Sequence, residues 1–352
     1  MRSALISAAP KDASYAAIRA VTSIGVISKP FLEPGKMMVR VSACSFAKGD
    51  VHLLTGSLSF VFRAKYPYTP GMDICGKVVA LGPGVTGFSI GDVVAASQGA
   101  RCVGGCAEYM LVEERYTARV PEGVSPLVAS ATTTSAVTAS QMVRNVAAVK
   151  RGERILVLGG AGGVGSAAVQ LAKTIGAFVA TTTSQVDFAR DILRADVIVN
   201  YTTTNWWMDP AFREAPFDCI IDCVGGGQHW QKACTSGVLK GRKAGGRFVA
   251  VVADEPNPVV KGPLQLISFV IGMLWRPLWT SFSWSLPRYC LGISVSDSKS
   301  VAAALADVAS GNITIPLDPA GPFPFTEDGV AGALALCASN HAHGKVVIRL
   351  AE

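Results

Sequence analysis

Short apolar runs separated by glycine and proline make up most of the first 125 residues. Three of these runs, Met37–Cys44, Gly76–Gly82 and Ala107–Glu114, have the length and the bounding turn residues of strands. We interpret Ser3–Ser7 as a further, first strand rather than as part of a cleaved leader. The pattern therefore predicts a small, curved, mostly antiparallel β domain.

The pattern changes near Pro126, where a long stretch rich in small residues, Leu127–Val149, is typical of a helix. From there, apolar runs alternate with helical or mixed segments. Six of the runs are predicted strands: Ile155–Gly159, Phe178–Thr183, Val197–Tyr201, Cys219–Val224, Arg247–Val252 and Leu291–Val295. Continuous apolar runs indicate strands covered on both faces, so the alternation predicts an α/β fold with a Rossmann-type doubly wound parallel sheet. Beyond Ser296 we expect two helices, a β-like segment at Ile313–Leu317 and a closing strand at Lys345–Leu350.

The segment Pro263–Pro287 is long and apolar, with one charge and three tryptophans. Arg276 and Pro277 interrupt it after about a dozen residues, whereas a membrane-spanning helix needs roughly 20 apolar residues. An integral span is therefore not expected. We predict a buried helix, either at a subunit interface or over a pocket.

Composition narrows the class of protein. With 352 residues, half of them apolar and 16% charged, the chain is predicted to be folded and to have two domains. The net charge of +7 is scattered without a basic run, which argues against a nucleic-acid partner and suits an anionic small ligand. Nine cysteines without a C-x-x-C pattern indicate free thiols in a reducing compartment. We expect a cytoplasmic location, with a mitochondrial one as the alternative.

A glycine-rich turn between a predicted strand and a predicted helix matches the pattern G-x-G-x-x-G of dinucleotide-binding proteins. The first glycine is expected to permit a tight turn, the second to let the backbone approach a pyrophosphate, and the third to let helix and strand pack closely. The amides of the first helical turn would face the phosphates. The predicted cofactor contacts here are Gly160, Gly162, Gly163, Val164 and Gly165, together with Cys223 and Val224 after a later strand.

The end of the second strand of this fold selects the dinucleotide. An NAD-binding protein carries an acidic residue there, which bonds the ribose 2′-hydroxyl. This chain has the hydroxyls of Thr183 and Ser184 instead, and its nearest acid is Asp187. Arg190 and Tyr201 are further candidates for a 2′-phosphate contact, although Arg190 also fits a solvated helix charge. NADPH is therefore the predicted cofactor, rather than NADH.

Several stretches of the chain, in the family's order and spacing, resemble the zinc-independent quinone oxidoreductase branch of the medium-chain dehydrogenase/reductase superfamily. The resemblance runs nearly end to end. The stretches that carry it, besides the glycine turn, are Val39–Val51, Tyr66–Val94, Gly104–Val112, Phe217–Gly226, Gly245–Val252 and His341–Leu350. The reticulon-interacting mitochondrial oxidoreductases are similar in three places: Cys219–Gly226, Phe323–Gly329 and the C-terminal stretch.

The resemblance implies a domain organisation. Residues 1–125 and 297–352 would form a discontinuous, mostly β, GroES-like catalytic domain, and residues 126–296 a Rossmann dinucleotide-binding domain. Substrate would bind in the cleft between the domains. The family also implies a homodimer, and a first strand that leaves little room for a cleaved presequence.

The resemblance further implies that no metal is used. Zinc-dependent relatives carry Cys-His where this chain has Ala47 and Lys48, and Gly-His-Glu where it has Gly71-Met72-Asp73. Alanine and methionine do not serve as ligands of that zinc set. The structural zinc lobe needs four cysteines, and this chain offers only Cys102 and Cys106. We therefore expect no metal site.

Without a metal to polarise it, the acceptor must already be electrophilic: a quinone or an α,β-unsaturated carbonyl such as an enone or enal. Two alternatives are a 2-enoyl-thioester reductase and a non-catalytic NADPH-binding sensor or scaffold. The catalytic candidates are Lys48, Asp50, Tyr68 and Thr138. The loop with Lys48 and Asp50 lines the cleft in relatives, Thr138 resembles the residue that faces their nicotinamide, and Tyr68 is a candidate cap of the pocket. Their structural alternatives are a surface pair of Lys48 with Asp50, packing of Tyr68, and a helix-internal Thr138.

Overall fold

The computed structural model describes residues 1–62, 64–99, 104–252 and 258–351. The chain forms two compact units. The first unit contains Met1–Val137, Val295–Gly311 and Ile315–Glu352, and the second contains Thr138–Ser294 and Asn312–Thr314. The domain limits at residues 125 and 297 stay a prediction.

Within the described residues the strands, in chain order, are β1 Arg2–Ile6, β2 Thr22–Val26, β3 Lys36–Phe46, β4 Asp73–Leu81, β5 Val93–Ser97, β6 Tyr109–Glu113, β7 Thr117–Arg119, β8 Arg154–Leu158, β9 Phe178–Thr182, β10 Val197–Val199, β11 Cys219–Asp222, β12 Arg247–Ala250, β13 Arg288–Leu291, β14 Phe323–Pro324 and β15 Val346–Arg349. The α-helices are α1 Tyr15–Val21, α2 Lys48–Thr55, α3 Pro126–Ser140, α4 Gly163–Ile175, α5 Val186–Asp191, α6 Pro210–Glu214, α7 Gly227–Thr235, α8 Pro263–Phe282, α9 Ser298–Ala309 and α10 Glu327–Ser339. A π-helical segment, Gln141–Val146, continues α3.

The second unit is built on a six-stranded parallel sheet in the order β10-β9-β8-β11-β12-β13. Its central strand β8 is apolar and is buried from Ile155 to Leu158, as expected where helices cover both faces. From β8 the chain moves outward through β9 and β10 and then crosses to β11 on the other side of β8. The strand order therefore reverses between β8 and β11, where open parallel sheets bind ligands at the carboxyl ends of the strands.

The first unit contains a seven-stranded sheet in which β14-β15-β3-β4-β5-β7 are neighbours and β6 pairs with β3. All of its pairs are antiparallel except β14 with β15. Val39 and Ile74 of the sheet share a buried apolar core with Val330 and Leu334 of α10. The predicted fold class, a Rossmann-type sheet with a mostly β GroES-like domain, is confirmed.

Two predicted strands are wrong in position. The sixth strand of the parallel sheet is Arg288–Leu291 and not Leu291–Val295, because Arg288 already pairs with Arg247 of β12. Gly292 follows it and approaches the backbone so closely that a Cβ there would lie 2.8 Å from the Ala250 oxygen. The expected β-like segment Ile313–Leu317 is not a strand, and only Leu317 forms an isolated bridge, with Lys345.

Helix α8 occupies this apolar segment, and within the single chain its outer face is exposed, so burial at a subunit interface or over a pocket stays a prediction. Its one fully buried residue is Thr280, whose hydroxyl accepts a hydrogen bond from the Tyr289 amide at 3.1 Å. Trp275 and Trp279, whose rings stack with centroids 5.6 Å apart, are each 57% exposed. The described residues contain no helix long and apolar enough to cross a membrane.

Candidate functional site

The turn between β8 and α4 shows why three of its positions are glycine. The tight turn was predicted at Gly160, but the residue with left-handed backbone is Gly159, at φ +78°. Gly160 is required for a different reason, since a Cβ there would lie 2.0 Å from the Thr181 hydroxyl. A Cβ on Gly165 would lie 2.1 Å from the Gly159 oxygen, which is the close packing of helix on strand expected for that position.

The N-terminus of α4 is shaped to receive a ligand. Its N-cap is Gly162, which has no side chain to accept from the first-turn amides of Gly163, Val164 and Gly165. Such amides have no partner within a helix, and they lie at the positive end of the helix dipole. A Cβ on Gly162 would meet nothing closer than the Gly159 oxygen at 3.4 Å. The cradle is thus open at the amides, as a pyrophosphate group requires.

The loop after β11 lies against this turn. The Cys223 amide donates to the Leu158 oxygen at 3.2 Å, and a Cβ on Gly159 would lie 2.9 Å from Cγ2 of Val224. Sequence reasoning missed Asp222, which is 2% exposed and accepts from the Val224 and Gly225 amides at 3.0 Å. The available signal was a carboxylate at the end of an apolar strand, three residues before a run of three glycines. The structure thus brings Cys223 and Val224 to the glycine turn, at the point where the strand order reverses.

The four candidates for the 2′-phosphate contact are placed differently. Thr183 is buried, and its hydroxyl accepts a hydrogen bond from the Gln185 amide at 2.9 Å. Ser184 is exposed, and the Tyr201 hydroxyl donates to its Oγ at 3.5 Å. Arg190 forms an exposed ion pair with Asp187 at 2.8 Å. The structure therefore joins Ser184 with Tyr201, whereas Arg190 has the solvated pairing that was its structural alternative.

In the first unit, Asp50 is a buried carboxylate held by backbone amides. It is 2% exposed and accepts from the Ala47 amide at 2.9 Å and the Gly71 amide at 3.0 Å. Burial, together with the nearby charge of Asp73, raises the pKa of Asp50 to about 7, although the two amide bonds act in the opposite direction. This carboxyl therefore titrates near neutral pH.

A buried lysine faces the same region, and sequence reasoning missed it. The Lys345 ammonium lies 3.5 Å from a carboxylate oxygen of Asp73 and donates to the Phe46 oxygen at 3.0 Å. Thr134 donates to the other oxygen of Asp73. The signal in the sequence was a lysine at the start of an otherwise apolar closing strand. The single positive charge of Lys345 offsets only part of the negative charge of the two buried carboxylates, Asp50 and Asp73.

The remaining candidates do not form one cluster within a unit. The Lys48 ammonium donates to Asn340 Oδ1 at 2.6 Å, so the alternative pairing of Lys48 with Asp50 is wrong. Burial lowers the pKa of Lys48. The Tyr68 hydroxyl is buried without a hydrogen-bond partner among the described residues, and burial raises the pKa of this phenol. Thr138 belongs to the second unit and is 8% exposed within α3.

The described residues contain no group of three or more His, Cys, Asp or Glu side chains placed to hold a metal ion. Of the two cysteines weighed for a zinc lobe, Cys102 lies outside the described residues. Cys106 is buried beside Cys44, and this contact together with burial raises the pKa of the Cys44 thiol.

Both parts of the chain match known families. Residues 33–122 match the alcohol dehydrogenase GroES-like domain, and residues 193–348 match the zinc-binding dehydrogenase family. Together the two matches cover well over half of the chain.

Relatives and solved structures agree with this. The chain is 29% identical over 332 residues to the NADPH-dependent alkenal/one oxidoreductase of Arabidopsis thaliana chloroplasts, across 91% of this chain and 73% of the relative. It superposes on the quinone oxidoreductase of Coxiella burnetii with a TM-score of 0.78 at 24% identity, over 99% of both chains. A mycobacterial protein solved in complex with NADPH has a TM-score of 0.74 at 22% identity, over 99% of this chain and 100% of that one. The chain belongs to the medium-chain dehydrogenase/reductase superfamily.

Proposed function

We propose that this protein is an oxidoreductase that takes hydride from NADPH and delivers it to a quinone or an α,β-unsaturated carbonyl. The observation that carries the proposal is the cradle at the N-terminus of α4, where only the absence of a Cβ at Gly160 and Gly165 permits the turn. The NADPH-dependent alkenal/one oxidoreductase and the quinone oxidoreductase among its relatives support the choice of reaction.

The residues present fit the cofactor. The amides of Gly163, Val164 and Gly165 would hold the pyrophosphate, and the Cys223–Val224 loop would lie beside the adjoining ribose. Ser184 and Tyr201 supply hydroxyls at the end of β9, where a carboxylate would repel a 2′-phosphate. When bound, NADPH supplies the hydride.

The donor set at the positions matched to the zinc ligands does not fit a zinc ion. Ala47 offers a methyl group, and the Met72 side chain is 5% exposed and packs so tightly on Gly49 that a Cβ there would lie 2.4 Å from its methyl carbon. Asp73 already accepts from Thr134 and faces Lys345. We therefore derive no step through a metal, and the acceptor must supply its own electrophilic carbon.

Reduction of such an acceptor places negative charge on its oxygen, which a hydrogen-bond donor stabilises. We assign this role to Tyr68. Its hydroxyl is buried without a partner among the described residues, and its raised pKa keeps the proton on the phenol at neutral pH. We propose that Lys48 and Asp50 line or position the acceptor in the first unit, and that Thr138 of the second unit faces the nicotinamide.

The test is oxidation of NADPH by the purified chain with a panel of quinones, enones, enals and enoyl thioesters, and with a saturated ketone as the control. We expect turnover with quinones or conjugated carbonyls, none with the saturated ketone, and no loss of activity with a chelator. Thermal stabilisation by NADPH is measured in parallel with that by NADH. Stabilisation without turnover on any acceptor would instead identify a cofactor-binding sensor or scaffold, and turnover confined to thioesters an enoyl-thioester reductase.

A further inference from the structure

The outer face of α8 is a continuous apolar surface. Nine large apolar side chains of the helix are each between 39% and 81% exposed: Leu264, Ile267, Val270, Ile271, Leu274, Trp275, Leu278, Trp279 and Phe282. At 3.6 residues per turn they all fall within one half of the helix circumference. With roughly 100 Å² exposed on each, the face approaches about 900 Å², whereas the largest apolar patch of a typical monomer measures about 300–600 Å².

The inner face of the same helix is attached to the second unit. Thr280 bonds the Tyr289 amide of the edge strand β13, and the Arg276 guanidinium lies over the Tyr289 ring, 5.7 Å from its centroid. Arg242 donates to the carbonyl oxygens of Thr280 and Ser281 at the end of the helix. The helix is therefore fixed with its polar contacts inward and its apolar half outward.

The charged residues in the sequence stretch that contains α8 all have one sign. Between Pro258 and Ser296 there is no aspartate or glutamate, whereas this stretch contains Lys261, Arg276 and Arg288. Lys261 is exposed directly before the helix, and the exposed Lys243 lies at its other end, where its amide donates to the Trp284 oxygen. Cations thus flank the apolar face at both ends.

Basic side chains also line a cavity beside α8. The cavity has a volume of about 640 Å³ and is lined by Pro277 of α8 together with Lys150, Arg247 and Arg288. Among its described lining residues, Glu153 is the one carboxylate. Glu153 is paired with Arg247 at 2.6 Å. Lys150 and Arg288 therefore add positive charge next to the helix that no carboxylate among the described lining residues offsets.

We propose that α8 binds the surface of a bilayer that contains anionic phospholipids, with the helix lying in the plane of the membrane. An amphipathic helix with Trp, Phe and Leu on one face and flanking Lys and Arg matches both parts of such an interface. A second copy docked through the same face would bring cation against cation in either orientation, because both ends of α8 are basic. The proposal does not depend on the proposed function, since membrane binding needs neither cofactor nor acceptor.

The test is flotation of the full chain with vesicles of phosphatidylcholine alone and of phosphatidylcholine mixed with phosphatidylserine. We expect binding to the anionic vesicles that weakens as salt is raised, and a blue shift of tryptophan emission when they are added. The double variant Leu274→Glu/Leu278→Glu should bind at least tenfold more weakly. The double variant Lys243→Gln/Lys261→Gln should lose roughly fivefold per cation at low salt.

The matched control is Phe31→Glu/Ile90→Glu, which places the same charges on apolar residues of the first unit that are 86% and 66% exposed. It should bind as the unaltered chain does. The proposal is overturned if anionic vesicles do not float the chain, or if both glutamate pairs weaken binding equally. It is also overturned if the α8 variant instead dissociates an oligomer in analytical ultracentrifugation, which would show that a second copy covers the face.

Discussion

Substitution by alanine should have different effects at two glycines of the turn between β8 and α4, Gly165 and Gly162. In Gly165→Ala the new Cβ would lie 2.1 Å from the Gly159 oxygen and 3.0 Å from the Gly160 Cα, both backbone atoms. Ordinary contact begins near 3.4 Å, so helix α4 must shift by about 1.3 Å, and overpacking of this kind costs about 1–3 kcal/mol. In Gly162→Ala the nearest atom is already 3.4 Å away and φ is −74°, so the free chain accepts the methyl group.

The two variants therefore separate folding from binding. Gly165→Ala should lower the melting temperature by several degrees, because about 1 kcal/mol shifts the midpoint of a domain of this size by roughly 2–4 °C. Gly162→Ala should melt no more than about 2–4 °C below the unaltered chain, since a glycine-to-alanine change at an N-cap costs about 1 kcal/mol or less. It should nevertheless lose at least tenfold in NADPH affinity, because its methyl group projects where the pyrophosphate would lie. Thermal denaturation with and without NADPH measures both effects, and unchanged NADPH affinity in Gly162→Ala would refute the cradle.

Four further outcomes are expected. Asp50 has a pKa of about 7 in the folded chain and near 3.8 in the unfolded chain, so the free energy of unfolding should fall as pH rises from about 4 to 7. In Asp50→Asn the denaturation midpoint should decline less over this range. Glu153→Gln should cost about 3 kcal/mol in urea unfolding, because it leaves the half-buried Arg247 without its carboxylate. Ser184→Asp should shift the ratio of NADPH to NADH affinity by tenfold or more towards NADH, as read by cofactor titration. Tyr68→Phe should lower kcat at least tenfold with unchanged NADPH affinity, and equal losses in both would point to a packing role.

The parallel sheet was predictable because its strands are apolar on both faces and its turns are marked by glycine. The last strand was not, since the apolar run Leu291–Val295 is a better strand by composition than Arg288–Leu291. Pairing with β12 decides the register there, and that pairing is a tertiary contact.

The glycine motif located the cofactor cradle but gave the wrong reason for Gly160. The pattern cannot show that Thr181, on the neighbouring strand, occupies the space where a Cβ would lie. In the same way, Lys345 becomes part of the polar cluster around Asp73 only when β15 joins the sheet beside β3. Contacts between residues far apart in sequence have no periodic signal along the chain.

The apolar composition of α8 suggested burial, and in the single chain its outer face is exposed. Hydropathy measures how strongly a segment favours leaving water, but it does not identify the surface that takes the place of water. Among the described residues, none covers the outer half of the helix.

The pairing of β15 with β3 has a consequence for synthesis. Val346 pairs with Phe46, about 300 residues earlier, so the sheet of the first unit lacks a strand until residue 346 and its neighbours have been made. At about 5–20 residues per second, β3 waits roughly 15–60 s for its neighbour. The nearly contiguous second unit can finish folding during that interval. A nascent chain that stalls late in translation would therefore carry one completed half and one half with an open sheet, the state in which it most needs a chaperone.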